Sequence, residues 1–256
     1  MSSLCLKVLA ALSMLIDHAQ TARVITQPLL MEVFHLSLVE SHKFGRMLEL
    51  FGRVAFPIFS FLIAEGCRRT RSMPNYLIRL LLFAILSEIP FDLVMMPLDG
   101  HHVMENVLRF RHWNVLFTYA LGVACIWAVQ SMSGLPRWCR YGVMAGTALL
   151  SVLLDTDYSC YGILMILIAY YTEHKAAAFR RMAAVLFCAY VLMPLILNGV
   201  FSLDRFYLWG ASLLGLIAAF SYNGSYGNKK LGILFYYFYP AHLTILVILR
   251  ILKCIR

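Results

Sequence analysis

Long apolar runs, broken at short intervals by clusters of charge, proline and glycine, dominate this chain. The runs at 4–20, 51–67, 76–96, 114–132, 141–154, 161–172, 183–200, 206–221 and 231–252 each read as a membrane-crossing helix. About 20 apolar residues, rising about 1.5 Å each, cross the hydrocarbon core. The runs at 141–154 and 161–172 are short and are expected to tilt little or to end in protein-lined cavities. Residues 21–50 are too polar to span: Glu32, His35, Glu40, His42, Lys43 and Arg46 lie among Leu, Val and Phe, which predicts an interfacial or partly helical segment. There is no internal repeat and no low-complexity tract. The fold predicted is all-α, a single domain over 1–256 built as a polytopic transmembrane bundle of about nine spans.

Composition strengthens this picture. Of 256 residues, 61% are hydrophobic and only 14% are charged, against about 25% charged in soluble globular chains. A water-soluble fold of this size cannot hide so much apolar surface. The net charge of +9 suggests nucleic acid at first sight, but the bases cluster between apolar runs, as the positive-inside rule requires, so no nucleic acid is expected.

The charges also set an orientation. One set of connections carries Arg68, Arg69 and Arg71; Arg137 and Arg140; Lys175, Arg180 and Arg181; and Lys229 and Lys230, with Glu173 as its acid. The opposite set carries Glu32, Glu40, Glu49, Asp99, Glu105, Asp155, Asp157 and Asp204 among fewer bases. The basic side should be cytoplasmic, which places the N-terminus inside and the C-terminus outside in a multi-pass protein of the cell membrane. Arg250, Lys253 and Arg256 run against the pattern. Lys7 and the run Val8–Ile16 lead into Asp17-His18 without a small-x-small cleavage site, so the first helix is expected to be retained. The seven cysteines form no C-x-x-C and no zinc-spaced Cys/His cluster, which predicts neither a disulfide framework nor a metal.

Polar groups inside spans are costly and need partners or a wet cavity, so they mark candidate chemistry. Asp17 and His18 end the first span; Arg53 opens the second and Glu65 closes it; Glu88 and Asp92 flank Pro90 in the third. His112, Trp113 and Asn114 open the fourth span. Asp155, Asp157, Tyr158 and Tyr161 cap the turn between the fifth and sixth, and His242 follows Tyr239-Pro240 in the last. Apart from Glu65 and His242, these groups fall in the outer half. Neighbours on a helix point about 100° apart, so His18 should find its partner on another helix or be oriented by Asp17 at a bent end. A histidine suits general-base work near neutral pH. Arg53 is expected to pair with Glu88 or Asp92 or to contact an anion. No P-loop, dinucleotide glycine fingerprint, H-E-x-x-H or G-x-S-x-G is present.

Several stretches then resemble the TraX family, named for a conjugative pilin N-acetylase. They are Leu6-Lys7-Val8-Leu9-Ala10 leading to Met14-Leu15-Ile16-Asp17-His18, Phe51-Gly52-Arg53-Val54-Ala55-Phe56-Pro57-Ile58-Phe59 with Glu65-Gly66, and Ser87-Glu88-Ile89-Pro90-Phe91-Asp92. Asp157-Tyr158-Ser159-Cys160-Tyr161-Gly162-Ile163 and Phe238-Tyr239-Pro240-Ala241-His242-Leu243 also fit. The family is similar to membrane acyltransferases that use acyl-coenzyme A, including the lysosomal heparan glucosaminide acetyltransferase. The resemblance implies a membrane acetyltransferase that uses cytosolic acetyl-CoA, with Asp17 and His18 at the catalytic first-helix position. Its acceptor is an amine or hydroxyl, such as a protein N-terminus or a glycan, reached from outside. The anionic diphosphate of acetyl-CoA should meet the basic inner side near Arg68, Arg69 and Arg71. Arg53, Glu88, Asp92, Asn114, Tyr158, Tyr161 and His242 are then the expected substrate contacts, with Asn114, the tyrosines or His242 donating to the oxyanion. The rival reading is a proton-coupled transporter, which a carboxylate–histidine–arginine set serves equally well. Such transporters often carry inverted repeats, and this chain has none.

Overall fold

The computed structural model describes residues 1–22, 24, 33–35, 37–95, 112–132, 134–227 and 230–254. The expectations for Glu32, Asp99, Glu105, Lys229 and Arg256 lie outside these residues. The described residues form an all-α protein. Its helices are α1 Ser3–Thr21, α2 Leu38–Gly52, α3 Ala55–Arg69, α4 Met73–Met95, α5 Val115–Ser131, α6 Arg137–Leu153, α7 Ser159–Tyr171, α8 Lys175–Asn198, α9 Leu203–Phe220 and α10 Leu234–Cys254. Among the described residues, five stretches are long and apolar enough to cross a membrane: α1, the run Leu38–Arg69, α8, α9 and α10. Helices α5 and α7 are shorter and apolar. Helix α4 is long enough, but it carries Arg79, Glu88 and Asp92.

One correction concerns the second span. It does not start at 51, because the chain turns at Arg53–Val54 and α3 begins at Ala55. The polar stretch before it is helical from Leu38 onward. Ser37 caps α2 by accepting from the Glu40 amide, while the Glu40 carboxylate accepts from the Ser37 amide at 2.9 Å. This capping box satisfies two amides that the first turn leaves without partners. The small residues Ser41, Gly45 and Gly52 are the buried positions of α2, and they let its backbone approach α1 closely.

Elsewhere local chemistry shapes the helices. In α8, Pro194 lacks the amide that would reach back one turn. The ladder widens just before it, with Met193 N–H bonding to Cys188 O across the π turn Cys188–Leu192.

The polarity of the fold is inverted relative to a water-soluble protein. Helix α4 exposes Ile78, Leu82, Ile85, Leu86 and Ile89, and α10 exposes Ile245, Ile248, Leu249 and Leu252. Spacings of three and four place each set on one continuous stripe. His18, Glu88, Asp92, Asn114, Thr118 and His242 are buried instead. Apolar stripes of this extent are unfavourable in water and match hydrocarbon. The protein is membrane-associated.

The chain divides into two compact units. One comprises Met1–Ile58, Ile89–Phe110 and Tyr207–Arg256, and the other comprises Phe59–Glu88 and Arg111–Phe206. In the first, Ser3 N donates to Ser225 O at 2.8 Å and Asn223 N to Met1 O at 3.0 Å. These bonds stitch the start of α1 to the turn after α9. Arg250, one of the bases that ran against the charge pattern, is only 5% exposed. It donates to Leu93 O at 2.6 Å and Val94 O at 2.9 Å, at the C-terminus of α4. Those carbonyls lack intrahelical donors and carry the negative end of the helix dipole. Helix capping therefore accounts for this base.

Candidate functional site

Helices α1 and α10 bring two buried histidines together. His18 Nδ1 lies 2.8 Å from His242 Nε2, and both side chains are buried. The ring planes differ by 3° and the centroids are 5.1 Å apart. A ring radius at each end, added to the N···N distance, accounts for that whole separation. The rings therefore meet edge to edge in one plane, with the lone pair of one nitrogen facing the N–H of the other. His242 Nδ1 makes a second bond, 2.8 Å to Phe238 O one turn back in α10. The Phe238 ring lies nearly parallel to His242 at 4.8 Å. Tyr239 meets both imidazoles edge-on, at 6.1 Å from His18 and 5.5 Å from His242. Aromatic side chains thus enclose the pair and keep it dry.

His18 finds its partner on another helix. Asp17, the residue before it, turns toward α2: a methyl group added to Gly52 would strike the Asp17 carboxylate. Only glycine at 52 leaves room for it. Ser13, one turn earlier on α1, donates to Phe51 O at the C-terminus of α2, which also fixes how these helices meet. Arg53, at the turn after α2, lies 3.4 Å from Glu49 on its own helix. Asp92 is buried in α4 of the same unit.

The second unit holds another buried polar pair. Asn114 caps α5, its Oδ1 accepting from Leu116 N at 3.0 Å. Its Nδ2 donates to Ala84 O at 2.8 Å and to Glu88 Oε2 at 2.5 Å, and its backbone amide reaches the same Glu88 oxygen at 3.2 Å. Both amide hydrogens of Asn114 are committed, so they cannot serve an oxyanion. Glu88 is a fastening of α4 to the start of α5.

Tyr158 and Tyr161 meet at 5.6 Å, and Tyr161 meets Tyr190 of the π turn at 6.2 Å. The turn before them is tightly built. Asp155, Tyr158 and Ser159 all take left-handed backbone conformations at φ 49°, 62° and 40°. Non-glycine residues adopt these only at a cost of about 1–3 kcal/mol each. Bonds from Trp113 N to Asp155 O at 3.2 Å and from Asp157 N to Trp113 O at 2.7 Å hold the turn closed. His112 joins it, 3.4 Å from the Asp155 carboxylate and 3.8 Å from that of Asp157. The Asp157 contact, opposed by partial burial and reinforced by Asp155, raises the imidazole to about 9. His112 therefore keeps its proton at neutral pH and is no general base there.

The basic trio splits. Arg68 donates to Tyr170 O at 2.8 Å and to Ala169 O, capping the C-terminus of α7, and lies 3.3 Å from Glu65. Arg69 pairs with the same Glu65. Arg71 is exposed on the turn between α3 and α4.

Comparison with known proteins places this arrangement. A family model described as TraX protein matches residues 2–250. A curated relative, the probable fimbrial assembly protein FimC, serogroup H1, of Dichelobacter nodosus, is 27% identical over 248 residues. The match covers 96% of this chain and 94% of that protein. No solved structure matches the chain.

Proposed function

The chain belongs to the TraX family, and on that premise we propose that it is a multi-pass membrane acetyltransferase. In this reading it moves an acetyl group from cytosolic acetyl-CoA to the N-terminal amine of a fimbrial or pilin-type subunit. The observation that carries the reading is the buried, in-plane imidazole pair His18–His242. A dry site with a proton-accepting group is what acyl transfer to an amine requires. The similarity to a fimbrial assembly protein favours a protein N-terminus over a glycan as the acceptor.

Acetyl-CoA supplies the activated acyl carbon as a thioester. The residues of the chain then manage the proton. The lone pair of the neutral amine forms the N–C bond, and the C–S bond breaks with its electron pair going to sulfur. His18 takes the proton lost by nitrogen and returns it to the departing thiolate. The products are the acetylated amine and free coenzyme A, so atoms and charge balance. Arg68 and Arg69 are already engaged by Glu65 and the α7 carbonyls. Arg71 is the member of the trio best placed to turn toward a diphosphate.

Purified protein in liposomes, given acetyl-labelled coenzyme A and a fimbrial subunit, should place the label on the subunit's N-terminal amine. Mass spectrometry of the N-terminal peptide reads the product directly. A protein that binds the donor yet labels neither subunits nor simple amines would sink the proposal.

A further inference from the structure

The hydrogen bonds around the imidazole pair dictate where its protons sit. Phe238 O is a carbonyl and can only accept, so His242 Nδ1, 2.8 Å away, must carry a hydrogen. In a neutral ring the other nitrogen then has a lone pair. His242 Nε2 therefore accepts, and the hydrogen between the rings belongs to His18 Nδ1. In a neutral His18 this leaves Nε2 unprotonated, and the pair does not use its lone pair. Charge is disfavoured within the membrane, which supports counting both rings as neutral. One backbone carbonyl thus sets the proton positions of two side chains in series.

We propose that His242 is a positioning residue, locked by Phe238 O, that holds His18 in the tautomer with a free Nε2 lone pair. The role of that lone pair as the base rests on the acetyltransferase reading; the tautomer itself does not. The chain of bonds also steers charge. When His18 Nε2 takes a proton, its Nδ1–H bond to His242 becomes a charge-assisted bond and strengthens as positive charge develops.

The test is nitrogen-15 magnetic resonance of histidine-labelled, full-length protein in lipid, with signals assigned by His18→Ala and His242→Gln. Solvated neutral histidine prefers a hydrogen on Nε2. The proposal expects the opposite at both sites, with Nδ1 protonated and Nε2 bare. His242→Leu, which removes the acceptor, should release His18 from this tautomer. It should also lower kcat about 100-fold with KM for acetyl-CoA unchanged. His242→Gln, whose amide oxygen can accept from His18, should restore the tautomer and recover kcat to within about tenfold of wild type. A wild-type spectrum with the hydrogen on His18 Nε2 would overturn the proposal, whether or not the variants fold. Recovery by Gln no better than by Leu would overturn it too. Correct tautomers in a protein that transfers no acetyl group would leave the positioning intact and defeat the acetyltransferase reading alone.

Discussion

Each compact unit holds a buried polar pair, and the two pairs are built to opposite ends. In the second unit Asn114 spends its side-chain oxygen on the cap of α5 and both amide hydrogens on Ala84 and Glu88. Asn114 has no donor left, so it joins α4 to α5 and offers no hydrogen to a substrate. In the first unit His18 and His242 use one bond between them and one to Phe238. That pair leaves a lone pair on His18 Nε2 outside its own bonding. Burial alone does not mark a reactive group; capacity left over after local bonding does.

The contrast is broken most severely by removing His18. His18→Ala should lower turnover per folded molecule by about 10²–10⁴-fold, a loss well beyond the stability cost of leaving buried His242 without its partner. A variant that kept near-normal turnover would remove His18 from the chemistry.

The Asn114–Glu88 pair should fail in the other way. Asn114→Ala removes the cap of α5, worth about 1 kcal/mol, and strips hydrogen bonds from the buried Glu88, worth about 1–3 kcal/mol more. Thermal unfolding should show a large drop in stability. Turnover per folded molecule should be retained, and selective loss of turnover would return Asn114 to the reaction.

A smaller effect is expected next to the first pair. Gly52→Ala places a methyl group against the Asp17 carboxylate and should cost about 1–3 kcal/mol through overpacking. Unchanged stability would show that α2 does not confine Asp17.

The smallest effect is at the surface of the second unit. The imidazole of His112 is raised from 6.5 to about 9 by Asp157 and Asp155. A folded-state value above the unfolded one means that the contribution is complete below about pH 6.5 and is lost as pH rises through about 9. The side chain is 46% exposed, so solvent screening should hold the effect below about 1 kcal/mol. His112→Gln should flatten the pH dependence of the melting temperature across that window. An equally sloped profile would place the titrating group elsewhere.

Much of this was legible in the sequence. Apolar runs located α1 and α4 to within a few residues of their ends. The start of α2 was missed, although Ser37-Leu38-Val39-Glu40 carries the signature of a capping box. Its buried face at Ser41, Gly45 and Gly52 leaves no hydrophobic period, because it is made of small residues instead of apolar ones. Spacing pointed His18 away from Asp17, but it could not name His242, because 224 positions separate the two imidazoles. Arg250 looked like a misplaced loop charge, since a linear chain does not reveal that Leu93 and Val94 carbonyls await a donor. Asn114 looked like an oxyanion donor for the same reason: its commitments to Ala84 and Glu88 come from another helix.

The most direct measurement sets His18→Ala and Asn114→Ala side by side, reading acetyl transfer per folded molecule and melting temperature in the same lipid. The account predicts that the first variant loses turnover per folded molecule, while the second loses stability and keeps its turnover per folded molecule. Equal losses of turnover in both, or the reverse assignment, would contradict it.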